Sequence, residues 1–229
     1  MKNSTPRENH KLLNGRTSLH LSHLREGTGT PLLLLHELFT SSDRWSEQEI
    51  LWEGPVWALD FGGHGSSDWR AGGAYYPELF ATDVDSALEE IGPTCVAGAG
   101  LGAYVALLVS GARTEKIPGA LLFPGAGLIG GGDEPSCEPD ASKLDQLQQA
   151  HADTNTPEEI ATDPRVVLAQ DDIRPPDYAA SFGARSQALL LAEDGKTRPG
   201  WWEVLRELPK VHETSIDRAR AFEALSRFR

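Results

Sequence analysis

The chain has 229 residues, which fits a single α/β domain with a large core, and its 39% hydrophobic and 24% charged residues are the composition of a globular protein. A formal net charge of −13 excludes the basic face that a phosphate backbone or an anionic membrane surface requires, so no nucleic acid and no membrane is an expected partner. The polar opening MKNSTPRENHKLLNGRTS lacks a signal peptide's apolar core, no run approaches the ~18 apolar residues of a membrane span, and Cys95 and Cys137 read as free thiols, so a cytoplasmic location is expected.

In chain order, residues 1–14 are polar and read as loose. Residues 15–26 (GRTSLHLSHLRE) place Leu19 and Leu21 in alternation and Leu24 one position out of step, the pattern of a hairpin with a bulge. Residues 32–35 form a continuous apolar run, as in a central parallel strand buried on both faces. That run ends in His36, Glu37, Leu38 and Phe39, after which Ser41, Ser42 or Asp43 caps a short helix. A second apolar strand, 55–59, leads into Asp60 and the turn FGGHGSSD. Residues 75–91 carry Leu79, Phe80, Val84, Ala87, Leu88 and Ile91 at helical spacing, with Gly92 and Pro93 as the stop.

The stretch 95–108, CVAGAGLGAYVALL, organises the rest. An apolar run meets small residues and passes into a helix former, so it reads as strand, sharp turn and helix. Gly98 and Gly102 have the spacing of the flanking glycines in the G-x-S-x-G nucleophile elbow, which puts Gly100 where the nucleophile stands. Glycine carries no oxygen or sulfur, and Cys95, five residues upstream within a strand, does not replace it.

Residues 117–123 read as another strand. Residues 124–185 break the alternation, beginning with the flexible glycine-rich GAGLIGGG and continuing through an acidic, weakly helical segment, and are expected to be a small cap. Alternation resumes with a strand at 188–192, a helix at 201–208, a short strand at 210–211 and a closing amphipathic helix from 215. The expected core is therefore 1–123 with 186–229, a mostly parallel, doubly wound sheet with helices on both faces, and 124–185 is the cap or lid insertion.

Four motifs in this order resemble the α/β-hydrolase superfamily across nearly the whole chain. They are the hairpin and strand ending in HE, the turn DFGGHGSSD, the elbow GAGLG, and HETSIDRARAFEALSRF at the end. The resemblance implies a triad of Gly100 at the nucleophile position, His212 as base and Asp194 as acid, with Glu193 competing for the acid role. It implies an oxyanion hole made by the backbone N–H groups of Leu38 and Leu101, and a pocket bordered by His36, Glu37 and Trp69. Glu37 stands where the family usually has glycine. No cofactor and no metal is implied.

A triad histidine takes its proton from the nucleophile's hydroxyl, so a chain with glycine there forms no acyl intermediate. Three functions are open to such a chain. It is a non-hydrolytic protein or pseudo-enzyme that keeps a pocket for a small apolar or ester-like molecule. Or it is an enzyme, either an esterase-like hydrolase using water activated by His212 or a cofactor-free lyase or isomerase with His212 as base. Or it is an interaction or scaffold protein whose pocket is closed.

Overall fold

A computed structural model describes residues 8–45, 50–127, 162–169, 174–193 and 200–229. Among these residues the strands are β1 (Glu8–Asn14), β2 (Thr17–Arg25), β3 (Leu32–Leu35), β4 (Val56–Asp60), β5 (Cys95–Ala99), β6 (Ala120–Phe123), β7 (Leu189–Glu193) and β8 (Val211–Ser215). The α-helices are α1 (Pro77–Ile91), α2 (Leu101–Ala112), α3 (Pro176–Arg185), α4 (Trp202–Arg206) and α5 (Arg218–Leu225). The strands form one sheet in the order β1-β2-β4-β3-β5-β6-β7-β8. β1/β2 and β2/β4 pair antiparallel, and every later pair is parallel.

The all-leucine β3 shows how the sheet is buried. Leu33 and Leu35 join a core shared with Val96 of β5 and with Phe80, Val84 and Tyr104 from α1 and α2, whereas Leu32 and Leu34 join a second core on the other face with Trp45, Trp52, Phe222 and Leu225. Successive side chains of a strand point to opposite faces, so an unbroken apolar run is what a strand covered on both sides requires. α1 opens with Pro77 at its first turn and stops at Gly92, whose φ is +83°.

Three stretches differ from expectation: residues 8–14, residues 15–26, where a hairpin is expected and the single strand β2 stands with β1 as its hairpin partner, and the end of the expected cap. Residues 8–14 are not loose: they pair with β2 from Glu8↔His23 to Asn14↔Thr17. Their polarity is that of an edge strand, of which only alternate residues are half-buried. The slip at Leu24 is a real irregularity, a register shift between His23 and Arg25 against β4. At the carboxyl side, the last residues of the expected cap form α3, which packs on α2 so closely that a β-carbon at Gly111 would lie 2.6 Å from the Phe182 Cα. Val166 and Ala169 are likewise buried in the core beside α1 and α2. The remainder of the expected cap, 128–161 and 170–173, lies outside the described residues. Cys95 is a buried free thiol whose pKa burial pushes up to about 12, and Cys137 lies outside the described residues.

Candidate functional site

The carboxyl ends of β3 and β5, side by side in the sheet, set up the site. β5 delivers the chain to Gly100, whose φ of 52° and ψ of −117° make the sharp reversal into α2. A residue with a side chain pays roughly 1–3 kcal/mol for such a conformation. The carbonyl of Gly100 accepts from Ala103 N–H at 3.0 Å and Tyr104 N–H at 3.1 Å, which starts α2 directly at the turn. At Gly98 a β-carbon would come 2.6 Å from the Ala103 nitrogen, so the strand and helix approach each other only because that position is glycine. The sharp strand-to-helix reversal expected of an elbow is therefore formed at Gly100, which carries only a hydrogen there.

The segment after β3 supplies the second wall. Phe39 has φ +61°, rare for a bulky residue, and sits in a turn closed by Thr40, whose N–H and hydroxyl both donate to the Glu37 carbonyl at 3.3 and 2.9 Å. His36 braces that turn from beneath. Its Nε2 accepts from Phe61 N–H at 3.0 Å, so the ring proton lies on Nδ1 and donates to the Glu37 carbonyl at 2.8 Å. His36 is wholly buried, and burial is the main cause holding its pKa below the usual histidine value; His64, its rings 4.9 Å away centre to centre, is held well below for the same reason and by the neighbouring imidazole. His36 is thus a neutral structural donor. Asp60 ties the same turn to the glycine-rich one, accepting from Ser42 N–H at 2.7 Å and Ser66 N–H at 2.9 Å.

The N–H groups of Leu38 and Leu101 do converge on one point. What occupies that point is the chain itself: both donate to the carbonyl oxygen of Ala126, each at 3.0 Å. Residues 124–127, Pro-Gly-Ala-Gly, leave β6 and cross over the elbow as a strap. A β-carbon built at Gly100 would stand 2.6 Å from the Ala126 carbonyl carbon and 2.7 Å from that of Gly125, so the strap fills the space where a nucleophile's side chain would be. Glu37 grips the strap from the side. One of its carboxylate oxygens accepts from Ala126 N–H at 2.9 Å and the other pairs with Arg44 at 3.0 Å. Gly100 without a side chain and Glu37 with a long one are therefore two halves of one arrangement.

His212 is not brought to this point. It lies within β8, exposed, its ring stacked on Phe228 with centres 5.7 Å apart. The register runs His212↔Leu190, Leu190↔Leu121 and Leu121↔Ala97, which sets it level with the residue three before Gly100 and three strands away. At about 3.3 Å per residue and about 4.8 Å per strand, that is roughly 10 Å below the elbow and 14 Å to the side. The residues that leave β8 at the carboxyl end of the sheet are Ile216 and Asp217, and Asp217 caps α5 by accepting from Arg220 N–H at 3.1 Å. Glu193 ends β7 with Arg206 3.9 Å away. Asp194 lies outside the described residues. Trp69 is half-buried on the loop after β4. Among the described residues, no three His, Cys, Asp or Glu side chains are grouped to hold a metal ion.

The strap was not anticipated. Its residues read as a flexible glycine-rich stretch, and the available signal was the coincidence of small residues at 125–127 with Gly100 and a carboxylate at 37.

No protein-family model matches the chain, and no curated protein matches it by sequence. Solved structures do. An N-formylmaleamic acid deformylase from Pseudomonas putida S16 is similar with TM-score 0.71 and 18% identity over 90% of this chain and 91% of that one. An esterase from Rhodococcus sp. ECU1013 gives TM-score 0.64 and 20% identity, covering 90% of this chain and 89% of that one. The bottromycin epimerase BotH, solved with bottromycin A2, gives TM-score 0.64 and 20% identity, covering 97% and 95%. The strand order, the elbow at the carboxyl end of β5 and these likenesses agree: the chain has the α/β-hydrolase fold.

Proposed function

We propose that this protein is a non-hydrolytic member of the α/β-hydrolase fold, in which the elbow and the paired donors are retained as a binding scaffold and perform no acyl transfer. The observation that carries this reading is the Ala126 carbonyl resting on both Leu38 and Leu101 N–H while the strap takes the nucleophile's space. Acyl transfer needs a nucleophile, a base within hydrogen-bond reach of it and an open pair of donors for the oxyanion. Gly100 supplies no nucleophile, and His212 is three strands away. An epimerase among the structural neighbours supports the view that this fold accommodates proteins whose reaction is not hydrolysis.

The test is hydrolysis of p-nitrophenyl butyrate by the protein beside Gly100→Ser and His212→Ala. The parent is expected to be inactive, and Gly100→Ser to gain no turnover, because the new side chain meets the strap and has no histidine beside it. Sustained release of nitrophenol by the parent, lost in His212→Ala, overturns the proposal and restores water activation by His212 as the explanation.

A further inference from the structure

The strap presents an unusual pair of groups to the site. Ala126 offers its N–H to Glu37 and its C=O to Leu38 and Leu101, so a single small residue is held by both of its backbone polar groups. Glu37 is fixed for this purpose by the Arg44 guanidinium on its other oxygen, and its side chain is only 20% exposed. An ordinary oxyanion hole needs two donors and no acceptor. Here an acceptor has been added at the distance that separates the N–H and C=O of one amino-acid residue. We infer that the elbow is a recognition site for a small peptide unit, a glycine- or alanine-like residue within an amide chain, and that Ala126 is its built-in occupant. The inference rests on the non-hydrolytic reading, since a bound amide is held and not cleaved.

The flanking glycines set how closely the strap fits. A β-carbon at Gly125 would run into the Glu37 carboxylate, and one at Gly127, whose φ is +149°, would lie 2.6 Å from the Leu101 Cα. The strap in this position therefore requires glycine at 127 and, with Glu37 where it stands, at 125. Because it is tethered, it competes at an effective concentration in the millimolar range, so a free peptide binds measurably only when the strap is loosened. In Gly125→Ala and Gly127→Ala the new methyl group meets Glu37 or Leu101 only while the strap is in place, so displacing the strap leaves Glu37, Leu38 and Leu101 themselves unchanged.

The experiment follows the backbone amide signals of Leu38 and Leu101 by NMR in the full-length protein during titration with the capped tripeptide acetyl-Gly-Ala-Gly-amide. In Gly125→Ala and Gly127→Ala both signals are expected to move and saturate, with affinity at least about tenfold above that of the parent. The same tripeptide with an N-methylated alanine, and Gly125→Ala carrying Glu37→Ala, are each expected to bind about tenfold more weakly, the value of one hydrogen bond to a charged acceptor. Two strap variants are used so that misfolding of one leaves the other. The inference is overturned if the tripeptide moves neither signal in either variant, or if the N-methylated peptide binds equally well. Release of a free amine from the tripeptide would instead refute the non-hydrolytic reading and leave peptide recognition standing.

Discussion

Replacing Gly100 with alanine separates the two reasons that glycine is there, backbone conformation and the strap. At φ 52° and ψ −117° an alanine is strained by about 1–3 kcal/mol. Its β-carbon also forces the Ala126 carbonyl off Leu38 and Leu101, two hydrogen bonds at about 0.5–1.5 kcal/mol each, and pulls Ala126 N–H from the Glu37 carboxylate, about 1.5–3 kcal/mol more. Water recovers part of this, so the expected total is about 3–5 kcal/mol. Gly15→Ala is the control. Gly15 turns between β1 and β2 at φ +61°, and a β-carbon there meets nothing within 4 Å, so alanine costs only the backbone term of about 1–2 kcal/mol. Urea denaturation followed by tryptophan fluorescence measures both. With about 2–4 °C of melting temperature per kcal/mol for a domain of this size, Gly100→Ala should melt on the order of 10 °C below the parent and Gly15→Ala by only a few degrees. Equal losses in the two variants would refute the claim that the strap occupies the elbow.

Stability should also depend on pH through His36 and His64. Both are buried with folded pKa values below the ordinary 6.5, so the folded state refuses protons that the unfolded chain accepts; their contribution is complete above pH 6.5 and is lost as pH falls toward the folded values, at about 1.4 kcal/mol per pH unit for each group. Urea midpoints between pH 8 and pH 5 in the parent and in His64→Gln test this, and an unchanged slope in the variant refutes it. Asp83 is fully buried in α1 and accepts from Arg70 at 2.6 Å, Asn14 at 2.7 Å and Gly62 N–H at 3.0 Å, so Asp83→Ala leaves a buried guanidinium unpaired and is expected to cost about 3–5 kcal/mol, whereas the double variant Asp83→Leu with Arg70→Met costs less than that in the same denaturation assay. His212→Ala is expected to cost no more than about 1 kcal/mol, the stacking on Phe228, and to leave any peptide binding unchanged; a tenfold loss of binding would place His212 in the site after all.

Most of the sheet was legible because its strands are buried on two faces and announce themselves as apolar runs. Leu32–Leu35 and Leu189–Glu193 needed no context to be recognised. β1 was illegible for the opposite reason: as an edge strand it buries little, and its pairing is carried by backbone groups that composition does not record. α3 was hidden by its position after an irregular segment, although Tyr178 and Phe182 sit at helical spacing on it. The strand, sharp turn and helix at 95–112 were legible, since a glycine pair at fixed spacing between an apolar run and a helix former marks such a reversal. His212 misled because the sequence states its order in the chain but not its register. A shift of three or four residues along β8 separates a side chain at the sheet's carboxyl edge from one stacked on Phe228, and nothing local encodes that difference.

Gly100, Glu37 and the small residues at 125–127 look independent in the sequence and are coupled in the structure. Restoring a serine at 100 collides with Ala126; restoring a glycine at 37 frees Ala126 N–H; a side chain at 125 strikes Glu37. Decay of an unused site would remove groups one at a time and leave buried donors unpaired, each costing about 1–3 kcal/mol. Here the donors of Leu38 and Leu101 are satisfied, the Glu37 carboxylate has two partners, and the space beside Gly100 is filled. Such mutual fit is what the proposed binding role requires, since the turn at Gly100 and the segment after β3 aim two N–H groups at one carbonyl.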